Sequence, residues 1–118
     1  MNEITSTLND FLVNTKSTSA LILNGKGKMI TSLHVDYSDS VATMSAAILS
    51  MSEKFLTDLD KGALKQLLLK TSDGVVVGNK ISGTNFVVAF SKEGSNLALL
   101  MRSTEELSAE LSKNSLLK

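Results

Sequence analysis

The residues that could carry out acid–base or metal chemistry are few in this sequence, and no motif brings them together. His34 is the single histidine and there is no cysteine, which leaves no basis for a thiolate metal site or a histidine-activated nucleophile. The pairs Asp36/Asp39 and Asp58/Asp60 each lie at a predicted helix end, where a carboxylate commonly interacts with the helix dipole or with solvent. The sequence therefore predicts a protein that is not an enzyme and has no cofactor or metal.

The segment Gly25-Lys26-Gly27 superficially resembles a phosphate-binding loop. Neither GxxxxGK[ST] nor GxGxxG is present, and a second strand-like run follows where such a loop requires a helix. Asn24-Gly25 lies between the apolar runs 20–23 and 29–33, and Asn-Gly in that position is typical of a β-hairpin. We interpret the segment as a hairpin turn.

Length and charge limit the classes of protein that the sequence can represent. The chain has 118 residues, which predicts a single domain over 1–118. Twelve basic residues balance twelve acidic ones, and without a local basic cluster we expect no nucleic-acid partner. No apolar run approaches the roughly 18 residues of a membrane span, and the N-terminus lacks the pattern of a signal peptide. We therefore expect no membrane insertion and a cytoplasmic location.

The stretch from Ser38 to Leu59 predicts a long helix with Asp39 and Ser40 as N-capping residues. At about 100° per residue, it carries two adjacent apolar stripes. One stripe contains Val41, Met44, Ile48, Met51, Phe55 and Leu59, and the other contains Ala42, Leu49 and Leu56. Together they span roughly 180°, wider than the roughly 100° needed for one core. This width predicts two packing partners, although a fully buried helix in a monomer would fit the pattern equally well.

We assign the first stripe to the chain's own sheet because Met44, Ile48, Met51 and Phe55 are the larger residues. The small residues beside it would let the helix of a second copy approach closely. The predicted dimer interface combines this side of the helix with a following strand, and consists of Ala42, Ser45, Ala46, Leu49, Ser52, Leu56, Leu67 and Leu69. Ser50, Glu53 and Lys54 are predicted to form a polar rim that binds a further partner.

The remaining pattern predicts the element order α-β-β-α-β-β-β-α. Residues 2–15 have helical spacing, the last helix begins after a cap at Ser95 or Asn96, and the final residues are expected to fray. The composition of 64–71 fits helix or strand, but Gly62 and the turn Asp73-Gly74 favour a strand. Other strands, including 75–77 and 86–90, are continuous apolar runs, which indicates a sheet covered on both faces. Short connections make the sheet largely antiparallel, with the terminal helices on one face and the long helix on the other.

Several segments together resemble the roadblock family of dynein light chains and GTPase regulators. They are the short N-terminal helix, ALILNGKG at 20–27, SAAIL at 45–49, LLLKTSDG at 67–74 and NLALLMR at 96–102. The likeness spans nearly the whole chain, although Ala98 stands where members of the family often show Gly. It implies a three-layer, profilin-like α/β (α+β) fold with a five-stranded antiparallel sheet, dimerising through the long helix and an edge strand.

The resemblance also implies a function. Family members are non-enzymatic platforms, and the first expectation is a homodimer that binds and regulates a Ras-like small GTPase, as MglB-type regulators do, either by scaffolding or by activating hydrolysis without its own active site. A scaffold subunit of a larger complex without GTPase contact is an alternative. A PAS-like or profilin-like small-molecule sensor is another, but one Tyr, no Trp and no convergent polar groups in the apolar runs weigh against it.

Overall fold

The computed structural model describes residues 2–92 and 94–117. Within these residues, three α-helices, five strands and a short 3-10 helix follow one another in the order α1 (Asn2–Thr15), β1 (Ser19–Leu23), β2 (Met29–Leu33), α2 (Ser38–Asp58), β3 (Gln66–Lys70), β4 (Gly74–Ser82), β5 (Asn85–Lys92), α3 (Leu97–Leu111) and η1 (Ser115–Leu117). The predicted element order is confirmed, including the strand interpretation of β3.

The five strands form one sheet in the spatial order β2-β1-β5-β4-β3. Every neighbouring pair is antiparallel. Short turns join β1 to β2, β3 to β4 and β4 to β5, which accounts for three of the four pairs. The strands β2 and β3 lie at the two edges. At the β1–β2 turn, the Asn24 side-chain oxygen accepts hydrogen bonds from the backbone N–H groups of Lys26 and Lys28, which confirms the hairpin.

The face of the sheet that packs against α1 and α3 contains the larger of two hydrophobic clusters. Side chains alternate along each strand, so Ala20 and Ile22 face this side while Leu21 and Leu23 face the other. The helices contribute large apolar residues, among them Ile4, Leu8, Phe11, Leu12, Leu100, Leu107 and Leu111. The predicted three-layer, profilin-like α+β architecture is confirmed.

Of the helices that the structure describes, only α2 covers the opposite face, and it does so mostly with its small residues. Ala42, Ala46 and Leu49 are its buried positions, and they pack with Leu21, Leu23, Phe86 and Val88. The prediction that Met44, Ile48, Met51 and Phe55 face the sheet is wrong, since all four are exposed. A Cβ atom added at Gly27 would lie 3.2 Å from the Thr43 Cα, so the helix backbone approaches the β1–β2 turn too closely for large side chains.

The start of α2 also differs from the sequence prediction. Its N-cap is Tyr37, in the left-handed conformation with φ 55°, and no side chain provides a capping hydrogen bond. Asp39 lies in the first turn, where a carboxylate interacts favourably with the helix dipole. The Thr43 hydroxyl donates to the carbonyl oxygens of Asp39 and Gly27. The helix is thus tied to the β1–β2 turn by a side chain one turn after the predicted cap.

The C-terminal residues are ordered by contacts with the β4–β5 turn. The Asn96 side chain caps α3 by accepting a hydrogen bond from the Leu99 N–H, as one of the two predicted caps. Beyond α3, Leu117 is buried, and its carbonyl oxygen accepts hydrogen bonds from the Ser82 hydroxyl and the Asn85 side-chain amide. The prediction of a frayed end is therefore wrong for residues 115–117.

Candidate functional site

The most prominent surface feature is an apolar stripe along the outer side of α2, which we call the outer stripe. It contains five large residues with high fractional exposure: Met44 at 58%, Ile48 at 43%, Met51 at 65%, Phe55 at 63% and Leu59, directly after the helix, at 51%. Their spacing of three or four residues places them on one side of the helix. Apolar side chains that adjoin over several turns are typical of a protein-interaction surface, whereas isolated ones are not.

The edge strand β3 extends this apolar surface beyond the helix. Leu67 and Leu69 lie on the α2 side of the sheet, where they border a small cavity of about 20 Å³ together with Ser45, Ile48 and Leu49. Leu69 is exposed. Within the part of the chain that the structure describes, no strand pairs with the outer side of β3. The outer stripe and an open sheet edge therefore form one continuous surface.

The predicted dimer-interface residues divide into two groups. Ala42, Ala46 and Leu49 are buried against the chain's own sheet, so they offer no surface to a second copy, and their assignment is corrected. The others remain at the surface, with Ser45, Ser52, Leu56 and Leu67 half-buried and Leu69 exposed. Sequence reasoning placed the larger residues inside because it had no measure of the distance between helix and sheet.

The residues of the predicted polar rim lie on two different parts of α2. Ser50 and Lys54 are exposed, and the Lys54 Nζ lies 3.1 Å from an Asp58 carboxylate oxygen on the same helix. Glu53 instead faces the sheet side, where its carboxylate lies 3.2 Å from the Lys80 Nζ on β4. Ser50 and Lys54 thus share the polar outer arc of α2, while Glu53 joins the helix to the sheet.

A polar contact that the sequence did not reveal fixes the start of β3. The Gln66 side-chain amide donates hydrogen bonds to the Asn79 side-chain oxygen at 2.8 Å and to the Met101 carbonyl oxygen of α3 at 2.9 Å. Asn79 is buried, and a buried polar group without a partner would be costly. These contacts anchor the edge strand to the opposite helix layer. Only a three-dimensional arrangement brings residues 66, 79 and 101 together.

The described residues outside this surface offer neither a metal site of three or more ligands nor a membrane-spanning helix. Among residues 2–92 and 94–117, no three His, Asp or Glu side chains lie close enough together to hold a metal ion. The same residues include no helix with the length and apolar character needed to cross a bilayer. A cleft of about 460 Å³ between α1 and the end of α3 is lined by charged residues such as Glu3, Glu110 and Lys113. Another cleft of about 530 Å³, beside β4, is lined by Lys65, Lys80 and Glu105 among others. The outer stripe with the β3 edge is therefore the candidate functional surface.

Comparison with solved structures supports this architecture. Myxococcus xanthus MglB is similar over 94% of this chain and 93% of that chain, with 12% identity and a TM-score of 0.88. The gliding protein MglB of Thermus thermophilus is similar over 95% of this chain and 87% of its own, with 14% identity and a TM-score of 0.87. Profilin IB of Acanthamoeba castellanii is similar over 92% of this chain and 95% of its own, with 16% identity and a TM-score of 0.68. At these identities, the similarity shows the fold.

Comparison at the level of sequence shows the family. No curated protein matches the chain at significant similarity. The family model of the Roadblock/LC7 domain, in contrast, matches residues 6–88. That match includes most of α1, the first four strands, α2 and part of β5, and therefore both components of the candidate surface. The chain belongs to the Roadblock/LC7 domain family.

Proposed function

We propose that this protein forms a homodimer through the outer stripe and the β3 edge, and that the dimer is a non-enzymatic platform that binds and regulates a Ras-like small GTPase. Family membership supports the regulatory role, since the roadblock resemblance implies such platforms. The observation that carries the proposal is the outer stripe itself, because it leaves large apolar side chains in water next to an unpaired strand. Residues of this kind are enriched at protein interfaces.

A second copy would satisfy both components of the surface at once. Two-fold symmetry presents the same patch on both subunits, so the outer stripe of one α2 would pack against that of the other. Met44 and Met51 suit this contact because an unbranched thioether adapts to irregular gaps. The same symmetry would bring two β3 strands side by side and cover the exposed backbone groups of both edges. The proposed contact therefore combines packing of the two α2 helices with extension of the sheet through β3.

The polar arc of α2 remains outside this contact and offers a docking surface for the GTPase. Ser50 and Lys54 lie on it, together with Thr43, Ala47 and Asp58, all of them exposed. Dimerisation would place two such arcs beside each other, creating one platform from two helices. Sites that overlap at the two-fold axis would admit one GTPase per dimer, and separated sites would admit two.

Light scattering of the purified protein tests the first part of the proposal. We expect the mass of a dimer at micromolar concentration. A monomer mass across that range would refute the proposed homodimer and, with it, the composite platform.

Titration of Ras-like GTPases from the same genome tests the second part. Each GTPase, loaded with GDP or with a non-hydrolysable GTP analogue, is titrated against the wild type and the Lys54→Glu variant. We expect weaker or slower binding by the variant, because rim charges steer association. Lys113→Glu, beyond α3, provides a matched charge-reversal control that keeps wild-type binding. Phosphate release measured in parallel separates activation from scaffolding, and a dimer that binds none of these GTPases would leave the scaffold-subunit alternative.

The structure also bears on the alternative of a small-molecule sensor. The cavity that Ser45, Ile48 and Leu49 of α2 border together with β3 measures about 20 Å³, whereas small-molecule sites measure roughly 300–1,000 Å³. A ligand between these layers would require α2 to move outward. This observation favours the platform over a sensor that holds its ligand there.

A further inference from the structure

We propose that the cleft beside β4 binds a small zwitterion that carries the carboxylate and ammonium groups of a free α-amino acid. The cleft measures about 530 Å³, and its lining includes Lys65, which precedes β3, Glu105 of α3 and the buried Asn79. Its volume falls within the roughly 300–1,000 Å³ of small-molecule sites. This site is distinct from the outer stripe and requires neither the proposed homodimer nor a GTPase.

The side chain of Asn79 has its orientation fixed by buried hydrogen bonds. The Met101 carbonyl oxygen can only accept a hydrogen bond, so the Gln66 group that lies 2.9 Å from it is the amide nitrogen. The same nitrogen lies 2.8 Å from Asn79, which therefore presents its side-chain oxygen to Gln66. The Nδ2 group of Asn79 must point away from Gln66.

This Nδ2 group is a donor that the protein itself does not use. Asn79 is only 5% exposed, and its Nδ2 group donates to no other described residue. Every fully buried side-chain nitrogen or oxygen among the described residues has a partner, so the Nδ2 group must be reached from outside. The cleft is the opening that Asn79 lines. A donor held in place by buried contacts favours a ligand oxygen at this point.

Two opposite charges line the cleft from different elements and are not paired with each other. Lys65 and Glu105 are both exposed, and neither takes part in a salt bridge among the described residues. Lys80, which also lines the cleft, already contacts the Glu53 carboxylate at 3.2 Å. Glu105 would repel a dianion such as phosphate. A zwitterion, in contrast, would place its carboxylate towards Asn79 and Lys65 and its ammonium group towards Glu105.

The remaining lining fits the aliphatic part of such a ligand. Leu64 and Ile81 border the cleft and offer apolar surface. A Cβ atom added at Gly83, in the β4–β5 turn, would meet no heavy atom within 4 Å apart from its chain neighbours, so the cleft is open on this side. We therefore expect amino acids with an aliphatic side chain to bind better than those with a charged one.

Titration of isotope-labelled protein with the free L-amino acids, followed by NMR, tests this site. We expect an aliphatic amino acid such as valine to shift the assigned side-chain amide signal of Asn79. Isovalerate lacks the ammonium group of valine, and isobutylamine lacks its carboxylate. Each should bind at least about tenfold more weakly than valine, because each loses one charge-assisted contact.

Substitutions separate the contacts to the carboxylate from the contact to the ammonium group. Asn79→Asp keeps the oxygen that accepts the buried hydrogen bond but loses the N–H donor and adds a negative charge, so valine binding should fall at least about tenfold. Lys65→Gln should weaken the binding of both valine and isovalerate. Glu105→Gln should weaken valine binding and leave isovalerate binding unchanged or stronger. Glu106→Gln and Lys61→Gln replace charges that do not line the cleft, and both should keep wild-type binding.

Each possible result either supports the site or overturns it. The site is overturned if no amino acid shifts the Asn79 signal, or if Lys65→Gln and Glu105→Gln bind valine as the wild type does. Isovalerate that binds as tightly as valine would overturn the zwitterion. If Asn79→Asp fails to fold, as judged by circular dichroism, Lys65→Gln and Glu105→Gln decide, since both replace exposed side chains. A monomer mass in light scattering would refute the homodimer and leave this result unaffected.

Discussion

The two sides of α2 differ in a way that sequence patterning does not anticipate. The inner side, with Ala42, Ala46 and Leu49, is made mostly of small residues and is buried. The outer side carries Met44, Ile48, Met51, Phe55 and Leu59, which are larger and exposed. Residue size is therefore no guide to which stripe of a helix faces the core. What decides is the distance at which the helix axis lies from the sheet.

The sheet beneath α2 is shaped for a close approach. A Cβ atom added at Gly78 would lie 3.4 Å from a Leu49 methyl carbon, and Gly27 makes the similar close approach to Thr43. The opposite face of the sheet faces α1 and α3, which contribute large residues such as Phe11 and Leu107. The α2 layer is thus thin and close-packed, and its large apolar side chains are left exposed on the outer side.

The largest expected effect comes from truncating a large buried side chain on the inner side of α2. Leu49→Ala should lower the free energy of unfolding by about 2–5 kcal/mol, because it removes a fully buried side chain and leaves a cavity. Urea denaturation at two protein concentrations measures this loss, which should persist at both. Met51→Ala is the outer-side comparison, and its effect should depend on protein concentration. A loss below about 1 kcal/mol for Leu49→Ala would contradict the assignment of the inner side.

A charge placed on the outer stripe should act on association rather than on the fold. Met51→Asp should weaken the proposed dimer by about 2–4 kcal/mol, because an aspartate would lose its hydration in the centre of the proposed contact. Analytical ultracentrifugation measures the dissociation constant, and circular dichroism checks that the fold is kept. Ala47→Asp adds the same charge on the polar arc of the same helix, and it should leave the dimer intact. Equal weakening by both variants would argue against the outer stripe.

Enlarging a small residue should destabilise the fold on the inner side of α2 but not on its exposed polar arc. Ala46→Leu should destabilise the fold by about 1–3 kcal/mol, because the space between α2 and the sheet is filled. The neighbouring Ala47→Leu lies on the exposed arc and should change the free energy of unfolding by no more than about 0.5 kcal/mol. Thermal denaturation of both variants provides the comparison. A tolerated Ala46→Leu would show that α2 can move away from the sheet.

The smallest expected effect concerns the ion pair that joins the sheet side of α2 to β4. Lys80→Met should cost less than about 1 kcal/mol, since Lys80 and Glu53 are both partly exposed to water. Lys54→Met removes the more exposed pair with Asp58 and should cost still less. Urea denaturation at low and high salt measures both, with any difference from the wild type shrinking at high salt. A loss above about 2 kcal/mol for Lys80→Met would indicate that the pair fixes the position of α2.

Much of the fold follows from local patterns. The Asn24-Gly25 turn, the uninterrupted helical spacing across 38–58 and the turn after β3 each fix an element within a few residues. The cap of α2 was harder to predict, because a left-handed residue at Tyr37 provides the turn without a side-chain hydrogen bond. Local patterns do not predict the ordered end at Leu117 for a different reason. Its hydrogen-bond partners Ser82 and Asn85 lie 35 and 32 residues away in the chain.

By itself, the sequence determined the order of the elements, the antiparallel sheet with covered faces, and the excess of apolar surface on α2. These properties depend on periodicity and on turn residues, which are local. Only the tertiary structure decided which stripe of α2 faces the sheet, that Glu53 pairs with Lys80, and that Gln66 ties β3 to α3. The physical reason is that each of these depends on distances between segments far apart in the chain. Residue type sets how much apolar surface must be buried, but the packing distance sets which residues bury it.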